Sequence, residues 1–531
     1  MVYHMEGLRL APDENKAQLK EKAIAMLGIA EEDIYRWQIV RKSIDARRNR
    51  PPVLVFAVEL ELLADVEMPL NSPPGVTIRA IPYEPPSAPA FFPSLRAQKP
   101  IIVGCGPAGL FAALAFVRNG LPVTLFERGK AVHERTADVA AFWRRGLLDP
   151  ESHVQFGEGG AGTFSDGKLT SRAKHTLTGW VKQVLVDMGA PVSILLDGKP
   201  HIGTDRLREV VVNLREHLIQ KGCDVRFQSR MTDIVVHDGH IAGIIVNEKE
   251  EIATDCLILA SGQSADDTYG MLHARGVHLE PKPFAMGVRV EHPQALIDEI
   301  QYGPWAGHPH LPPAEYFLTA KTADGNRSIY TFCMCPGGVV IGSSARAGGI
   351  VTNGMSDTLR SGPFANSAVV VNVRVDDFCT GTDSPLAGLT FRKHWEERAF
   401  ALGGGNYFAP AEKLIHFITD KESPDAGRTT FLPGIRAIPL HEALPHFVAL
   451  PLKEGLQAFN RKMSGFITAE ANLIGIETRT SSPVRITRGP DGQSIGLAGL
   501  YPCGEGAGYA GGIISSALDG IRAAKQAIVG C

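Results

Sequence analysis

Positive charge is not in excess: 54 lysines and arginines face 57 aspartates and glutamates, giving a formal net charge of −3. A nucleic-acid binder relies on clustered cations, so that class of function is disfavoured. Cysteine is sparse, with 8 in 531 residues. So few cannot make a disulfide framework in a chain this long, and a reducing compartment is expected. The opening stretch, MVYHMEGLRLAPDENK, lacks the basic segment and apolar core of a signal peptide. Long apolar runs are missing too. The longest, residues 101–117, is broken by Gly104, Gly106, Pro107 and Gly109, which makes a membrane span the weaker reading. These absences point to the cytoplasm, with neither membrane nor nucleic acid as partner. No internal repeat, low-complexity tract or catalytic triad is evident, and no Cys/His grouping supplies a metal site.

What is present suffices for two or three domains, because 531 residues exceed what one core organises. Residues 1–70 read as a small α+β domain, a candidate for protein contacts. It shows a strand at 8–10, a helix opened by Asp13 with Leu19, Ala23, Met26 and Leu27 near helical spacing, and strands at 35–40 and 53–62. The basic loop 47–50 suits an acidic partner or simple solvation. Residues 71–99, dense in proline, read as a linker. From residue 101 strand and helix signals alternate, with strands near 121–126, 224–227, 233–237, 241–246 and 256–260 and a helix over 205–219. Residues 285–470 lose that alternation and carry strand-like runs at 328–333, 339–341 and 368–373. The expected fold class is α/β. A discontinuous Rossmann-like domain (100–284 and 471–531) receives an inserted β-rich, α+β substrate domain (285–470) and follows the small N-terminal domain.

Two glycine-rich turns bracket this arrangement. In the first, GCGPAG, Gly104 makes the tight turn, Gly106 lets backbone approach a pyrophosphate, and Gly109 lets helix and strand pack closely. The helix that follows presents free amides and its positive dipole end to that phosphate. Glu127, at the end of the next strand, is placed to accept hydrogen bonds from ribose hydroxyls. The second turn, GEGAGYAGG, opens the last helix. A nicotinamide dehydrogenase needs no such second turn, whereas FAD has a ribityl chain and ring system to hold. Glu505 is positioned for the ribityl hydroxyls, and the Gly512 and Ile513 amides for the flavin edge.

These residues resemble the uncharacterised FAD-dependent dehydrogenases among the two-dinucleotide-binding-domain flavoproteins. The resemblance is carried by VGCGPAGLFAAL, ERG with Arg135 downstream, VQFGEGGAGTFSDGKLTSR, PHIGTD, YTFCMCPGGVV, TNGMS, ETRTSSPVRI and PCGEGAGYAGGI, spread over residues 101–531. It implies FAD held by Gly104, Gly106, Gly109, Glu127, Arg135, the loop of Gly159, Gly160, Ala161, Gly162 and Thr163, and the turn of Gly504, Glu505, Gly511, Gly512 and Ile513. Pro107, Ala108, Arg128, Lys168, Met231, Ser261 and Gly262 join the candidate cofactor contacts. Where members tend to read GHSARD, this chain has Gly262-Gln263-Ser264-Ala265-Asp266-Asp267, which leaves that loop open to a substrate or nicotinamide role.

Candidates for the chemistry are fewer. Lys168 suits an anionic flavin edge or plain solvation. Cys333 and Cys335, two apart on a strand, share a face by alternation and read as packing or pocket lining before a redox pair, because that spacing strains a disulfide. Arg289, Glu291 and His292 are placed to gather at a domain junction. His201, beside the helix cap expected at Thr204 or Asp205, reads as a surface or cap-supporting residue before an acid–base one, and Arg479 with Ser481 and Ser482 suits an anionic substrate group or structural hydrogen bonds. Flavin chemistry requires no protein nucleophile. The expected function is therefore an FAD-dependent oxidoreductase passing a hydride to or from a small organic substrate, with NAD(P)H as a transient donor. The alternatives are an FAD-dependent monooxygenase using NAD(P)H and a non-catalytic FAD-containing scaffold.

Overall fold

The computed structural model describes residues 2–47, 50–63, 74–81, 99–170, 175–381, 384–422 and 424–530. Arg48 and Asn49 of the basic loop, Ser171 and Arg172 of the long glycine motif, and most of the expected linker lie outside them. The protein is mixed α/β with several sheets.

Short apolar runs build a five-stranded parallel sheet in the order Leu500–Pro502, Leu257–Leu259, Ile101–Val103, Thr124–Phe126 and Asp224–Arg226. Its two faces follow from alternation along each strand. Ile102, Leu125, Ile258 and Tyr501 point to a helical layer that includes Pro107–Arg118, Thr178–Asp187, Thr204–Gln220 and Ile513–Gly530. Ile101, Val103, Phe126, Leu257, Leu259 and Leu500 point the other way, onto the antiparallel sheet Met231–His237, His240–Val246 and Glu250–Ala253. Both faces are buried, so the strands read as continuous apolar stretches. The 121–126 strand begins only at Thr124, because Gly120 takes a left-handed φ of 73° and turns the chain.

A seven-stranded sheet draws its strands from between residues 284 and 477, with Phe284–Pro293 paired to Phe364–Val373 on one side and to Asn472–Glu477 on the other. One face, with Met286, Val288, Val290, Val369 and Val371, packs against the helix His446–Lys462. The opposite face carries Ala285, Ala368, Val370, Tyr330 and Phe332. Arg289, Glu291 and His292 do not gather. Successive strand positions send Arg289 to Glu477, Glu291 to Thr430, and His292 to the opposite side, against the Phe466 carbonyl.

The N-terminal sheet has the order Ile34–Asp45, Val53–Leu62, Val2–Leu10, Thr77–Ile81. Part of the expected linker is therefore a strand. Thr77–Ile81 alternates well enough to pair antiparallel with Val2–Leu10, despite the prolines on either side. This sheet touches the rest of the chain through Lys42 and Gly198, whose backbones bond each other's neighbourhood, and through His308 against Asp13. Among the described residues no helix is long and apolar enough to cross a membrane.

Candidate functional site

At the C-terminal ends of the parallel strands lies a cavity of about 1490 Å³. Gly104, Gly106, Pro107, Ala108, Glu127 and Arg128 line it from the first glycine turn. Gly504, Glu505, Gly511, Gly512 and Ile513 line it from the second. Gly160, Ala161, Gly162, Lys168, Met231, Ser261, Gly262, Cys333, Cys335, Arg479 and Ser481 complete the contribution of the residues expected from the sequence.

The turns are glycine for steric reasons. Gly104 has a φ of 106°, and a Cβ there would run into the Ala260 carbonyl oxygen; one at Gly109 would strike the Gly104 carbonyl. At Gly106, Gly511 and Gly512, by contrast, a Cβ would meet nothing closer than 3.8 Å, so backbone lies bare along open cavity. Gly106 caps the helix Pro107–Arg118 without a side-chain bond, leaving the first-turn amides without a capping acceptor. The two glycine arms also meet directly: a Cβ at Gly504 would lie 2.8 Å from the Ala108 Cβ. A Cβ at Gly506 would press on the Gly262 backbone of a third loop, and Tyr269 donates to the Gly506 carbonyl at 2.7 Å.

Glu127 is buried and ties three loops together. Its Oε2 accepts the Cys105 amide and its Oε1 accepts the amides of Gly129 and Gly157, each at 2.9 Å. Each carboxylate oxygen accepts two bonds, so Oε2 keeps one acceptor position. Arg128 is fixed by Glu151 and Asp267 at 2.8 and 2.9 Å. Glu505 sits in the wall, and burial pushes its carboxyl up to about 7, against the pull of Lys282.

Several expected contacts stand behind the wall instead of in it. Arg135 is a correction: fully buried, it donates to the carbonyls of His153, Val154, Glu158 and Gly160 at 2.6–2.9 Å and does not line the cavity. It shapes the glycine loop from beneath. Gly159 donates its amide to Cys105, and the Thr163 hydroxyl donates to Glu158, both behind the wall as well. Gly109 packs helix on strand. Arg289 is the second correction. It is wholly buried, bidentate to Glu477 at 2.7 and 3.0 Å, and donates to the Cys333 carbonyl and to Asn353 and Asn366. It supports the Cys333 segment without facing the cavity. His201 is half-buried against the Thr358 carbonyl.

The cysteine pair departs from simple alternation. Pairing with the neighbouring strand slips between Phe332 and Cys335, and Cys333 takes a left-handed φ of 46°. Cys333 is exposed and Cys335 buried; burial raises the Cys335 thiol, with Lys168 opposing. Lys168 bonds Asp166 at 2.5 Å and the Met334 carbonyl. Burial disfavours its charge, yet Cys335 and Asp166 outweigh this and hold its pKa above the ordinary lysine value. Arg360 shares Asp166 at 2.5 Å, a partner with no sequence signal. Asp166 itself lay legible two residues before Lys168. Asp519 was missed too: it accepts the Gly504 amide at 2.8 Å and is held by Arg488 at 2.6 Å.

The profile of a domain described as "FAD-dependent protein, C-terminal domain-like" matches residues 283–480, which contain the whole seven-stranded sheet. A domain of unknown function matches residues 5–61. An uncharacterized protein of Clostridium beijerinckii is 43% identical over 534 residues, covering 99% of this chain and 99% of that protein. The chain belongs to this family of FAD-dependent proteins. FAD is its cofactor.

A stretch of 59 residues is 44% identical to the FAD-dependent monooxygenase fmqB of Aspergillus fumigatus, 11% of this chain and 14% of that protein. Flavin-dependent brominase Bmp2 is similar at a TM-score of 0.36 and 13% identity, covering 81% of this chain and 79% of its own. CtdE in complex with FAD and substrate 4 follows at 0.33 and 13%, covering 80% and 79%. Likenesses this weak assign no reaction. The residues present fit the FAD of the family: bare glycine backbone at Gly106, Gly511 and Gly512, uncapped helix amides, and a buried carboxylate oxygen with an open acceptor position all border one cavity.

Proposed function

We propose that this FAD-dependent protein is a cytoplasmic oxidoreductase that passes a hydride between flavin and a small organic substrate. One observation carries the reading: both glycine turns, from opposite ends of the chain, line the same cavity. At about 1490 Å³ it exceeds the roughly 300–1,000 Å³ of a usual small-molecule site, leaving room for a second molecule beside the cofactor.

In this reading the Rossmann-like domain is split between 100–284 and 471–531, with the substrate domain 285–470 inserted. Glu127, Arg128, Met231, Ser261 and Gly262 hold the adenosine end, the amides after Gly106 take the pyrophosphate, and Gly504, Glu505 and Gly511–Ile513 hold the ribityl and ring portions beside Gly160, Ala161 and Gly162. When bound, the flavin supplies two-electron hydride chemistry. The chain's own part is to bind, orient and exclude water. Lys168, fixed by Asp166 and the Met334 carbonyl, keeps a proton and a positive charge at the wall. Cys333 and Cys335 line the substrate end, and burial keeps the Cys335 thiol protonated near neutral pH.

The test is anaerobic stopped-flow mixing of the oxidised, FAD-loaded protein with NADH, NADPH and a panel of small alcohols, amines and acids. Bleaching of the flavin absorbance, with one product oxidised or reduced and no oxygen gained under air, supports the proposal. Oxygen from O₂ appearing in the product would identify a monooxygenase. Flavin that no donor or acceptor reaches would make the chain a binding protein.

A further inference from the structure

Beyond the glycine turns, the cavity wall changes character along one strand. Ser328–Cys335 lies beside Phe364–Val373, and the face of that sheet turned from the helix His446–Lys462 carries Ala285, Ala368, Val370, Tyr330 and Phe332. Tyr330 and Phe332 stay half-buried, and with Ala285 they line the cavity. The sheet thus leaves two aromatic rings for another molecule to cover, and rings pack well against rings by face or edge. Past Phe332 the register slips and the strand meets a charge: Lys168 donates to the Met334 carbonyl, two residues on.

That charged end holds more cation than acid. Asp166, 3% exposed, takes Lys168 and Arg360 Nη2 on one oxygen at 2.5 Å each, and Arg360 Nε on the other at 3.2 Å. Glu315 and Glu477 also line the cavity, but Lys199 claims the first at 2.6 Å and Arg289 the second at 2.7 Å. Donors are left over. An ammonium has three N–H groups, and two of those on Lys168 are placed. Arg360 is more than nine-tenths buried and lines the cavity. Among the described residues its Nη1 makes no hydrogen bond, and Glu315 stands 4.0 Å away. Unlike the Nη1 atoms of Arg392 and Arg479, it is not shut away from solvent. The surplus is felt nearby. Burial would raise the Asp166 carboxyl, yet the two cations hold it below its ordinary range, and burial together with Arg360 lowers His201.

We infer that the second ligand of this cavity is an aryl carboxylate, its ring against Tyr330 and Phe332 and its carboxylate between Lys168 and Arg360 Nη1. The inference rests on the proposed reading of the cavity as shared by cofactor and substrate. One added anion balances two cations that now share a single carboxylate, and each new contact is a charge-assisted N–H···O bond. The strand sets the spacing, since both rings and the carbonyl that anchors Lys168 lie within residues 330–334. A carboxylate without a ring leaves the aromatic face wet. A ring without charge leaves the donors unmet.

The experiment is isothermal titration calorimetry of the FAD-loaded protein with sodium benzoate, sodium acetate and benzyl alcohol. Benzoate is expected to bind at least about tenfold more tightly than the other two, which lack the ring or the charge. Arg360→Gln is expected to weaken benzoate about tenfold or more and to leave benzyl alcohol unaffected, with FAD content and far-UV circular dichroism as in the wild type. Phe332→Leu, at a half-buried position, is expected to weaken benzoate severalfold without changing acetate, and it decides the matter if Arg360→Gln does not fold. The inference is overturned if benzoate does not bind at tens of millimolar, or if acetate or benzyl alcohol binds as tightly. It is overturned equally if either folded variant binds benzoate as the wild type does, or if Arg360→Gln loses FAD, since the cations would then serve the cofactor. A protein that holds no FAD yet binds benzoate through Arg360 would sink the proposed function and leave this assignment standing.

Discussion

Arg135 shows how a residue can shape a cavity it does not line. Four of its N–H groups serve four carbonyls of one loop, an arrangement a point-charge ammonium cannot copy. Arg135→Lys is therefore expected to cost about 3 kcal/mol or more in urea unfolding, because buried carbonyls lose their donors, and to lower the FAD retained on purification. Wild-type stability and FAD content in that variant would contradict the geometry. Glu505 gives a second prediction. An acid whose folded pKa is raised binds its proton more tightly folded than unfolded, so the stability it brings is full below the ordinary carboxyl range and lost as pH rises through about 7. The FAD-free protein is expected to lose about 1–3 kcal/mol from this group between about pH 4.5 and 7. Urea midpoints measured across that range should flatten in Glu505→Gln; an unchanged slope would show that water reaches the carboxyl freely.

Among the elements, the two helices that open from the glycine turns pack so closely that one contact is backbone on backbone. A Cβ at Gly520, in the helix Ile513–Gly530, would strike the Ala108 carbonyl. Gly520→Ala should push the helices apart, costing about 1–3 kcal/mol and weakening FAD binding, as read by thermal unfolding and flavin fluorescence on dilution. Unchanged affinity would mean that the two turns act independently. How far the elements were legible follows the range of the interactions that fix them. The turn at Gly104–Gly109 and the acid at Glu127 are local, so spacing alone located them. The strand Thr77–Ile81 hid behind flanking prolines, since only pairing with Val2–Leu10 reveals it. The slip at Cys333 depends on register with Phe364–Val373 and on Arg289 holding its carbonyl, neither visible in a run of residue letters. Arg135 and Arg289 were legible as arginines of importance, but their burial, and hence their true partners, was not.

For the whole molecule the central claim is one of convergence. Residues near 104 and near 504 meet because the strands Ile101–Val103 and Leu500–Pro502 flank Leu257–Leu259 in one parallel sheet, which brings their C-terminal ends to a common edge. The cavity there is walled on its far side by segments of the seven-stranded sheet, so two separate layers of one chain enclose it. The most direct test is an experimental structure of the protein with FAD bound. Predicted is a single extended FAD touching Glu127 at its adenosine end and Gly511–Ile513 at its ring end. FAD resting on one turn alone, with the other facing a different ligand, would contradict it.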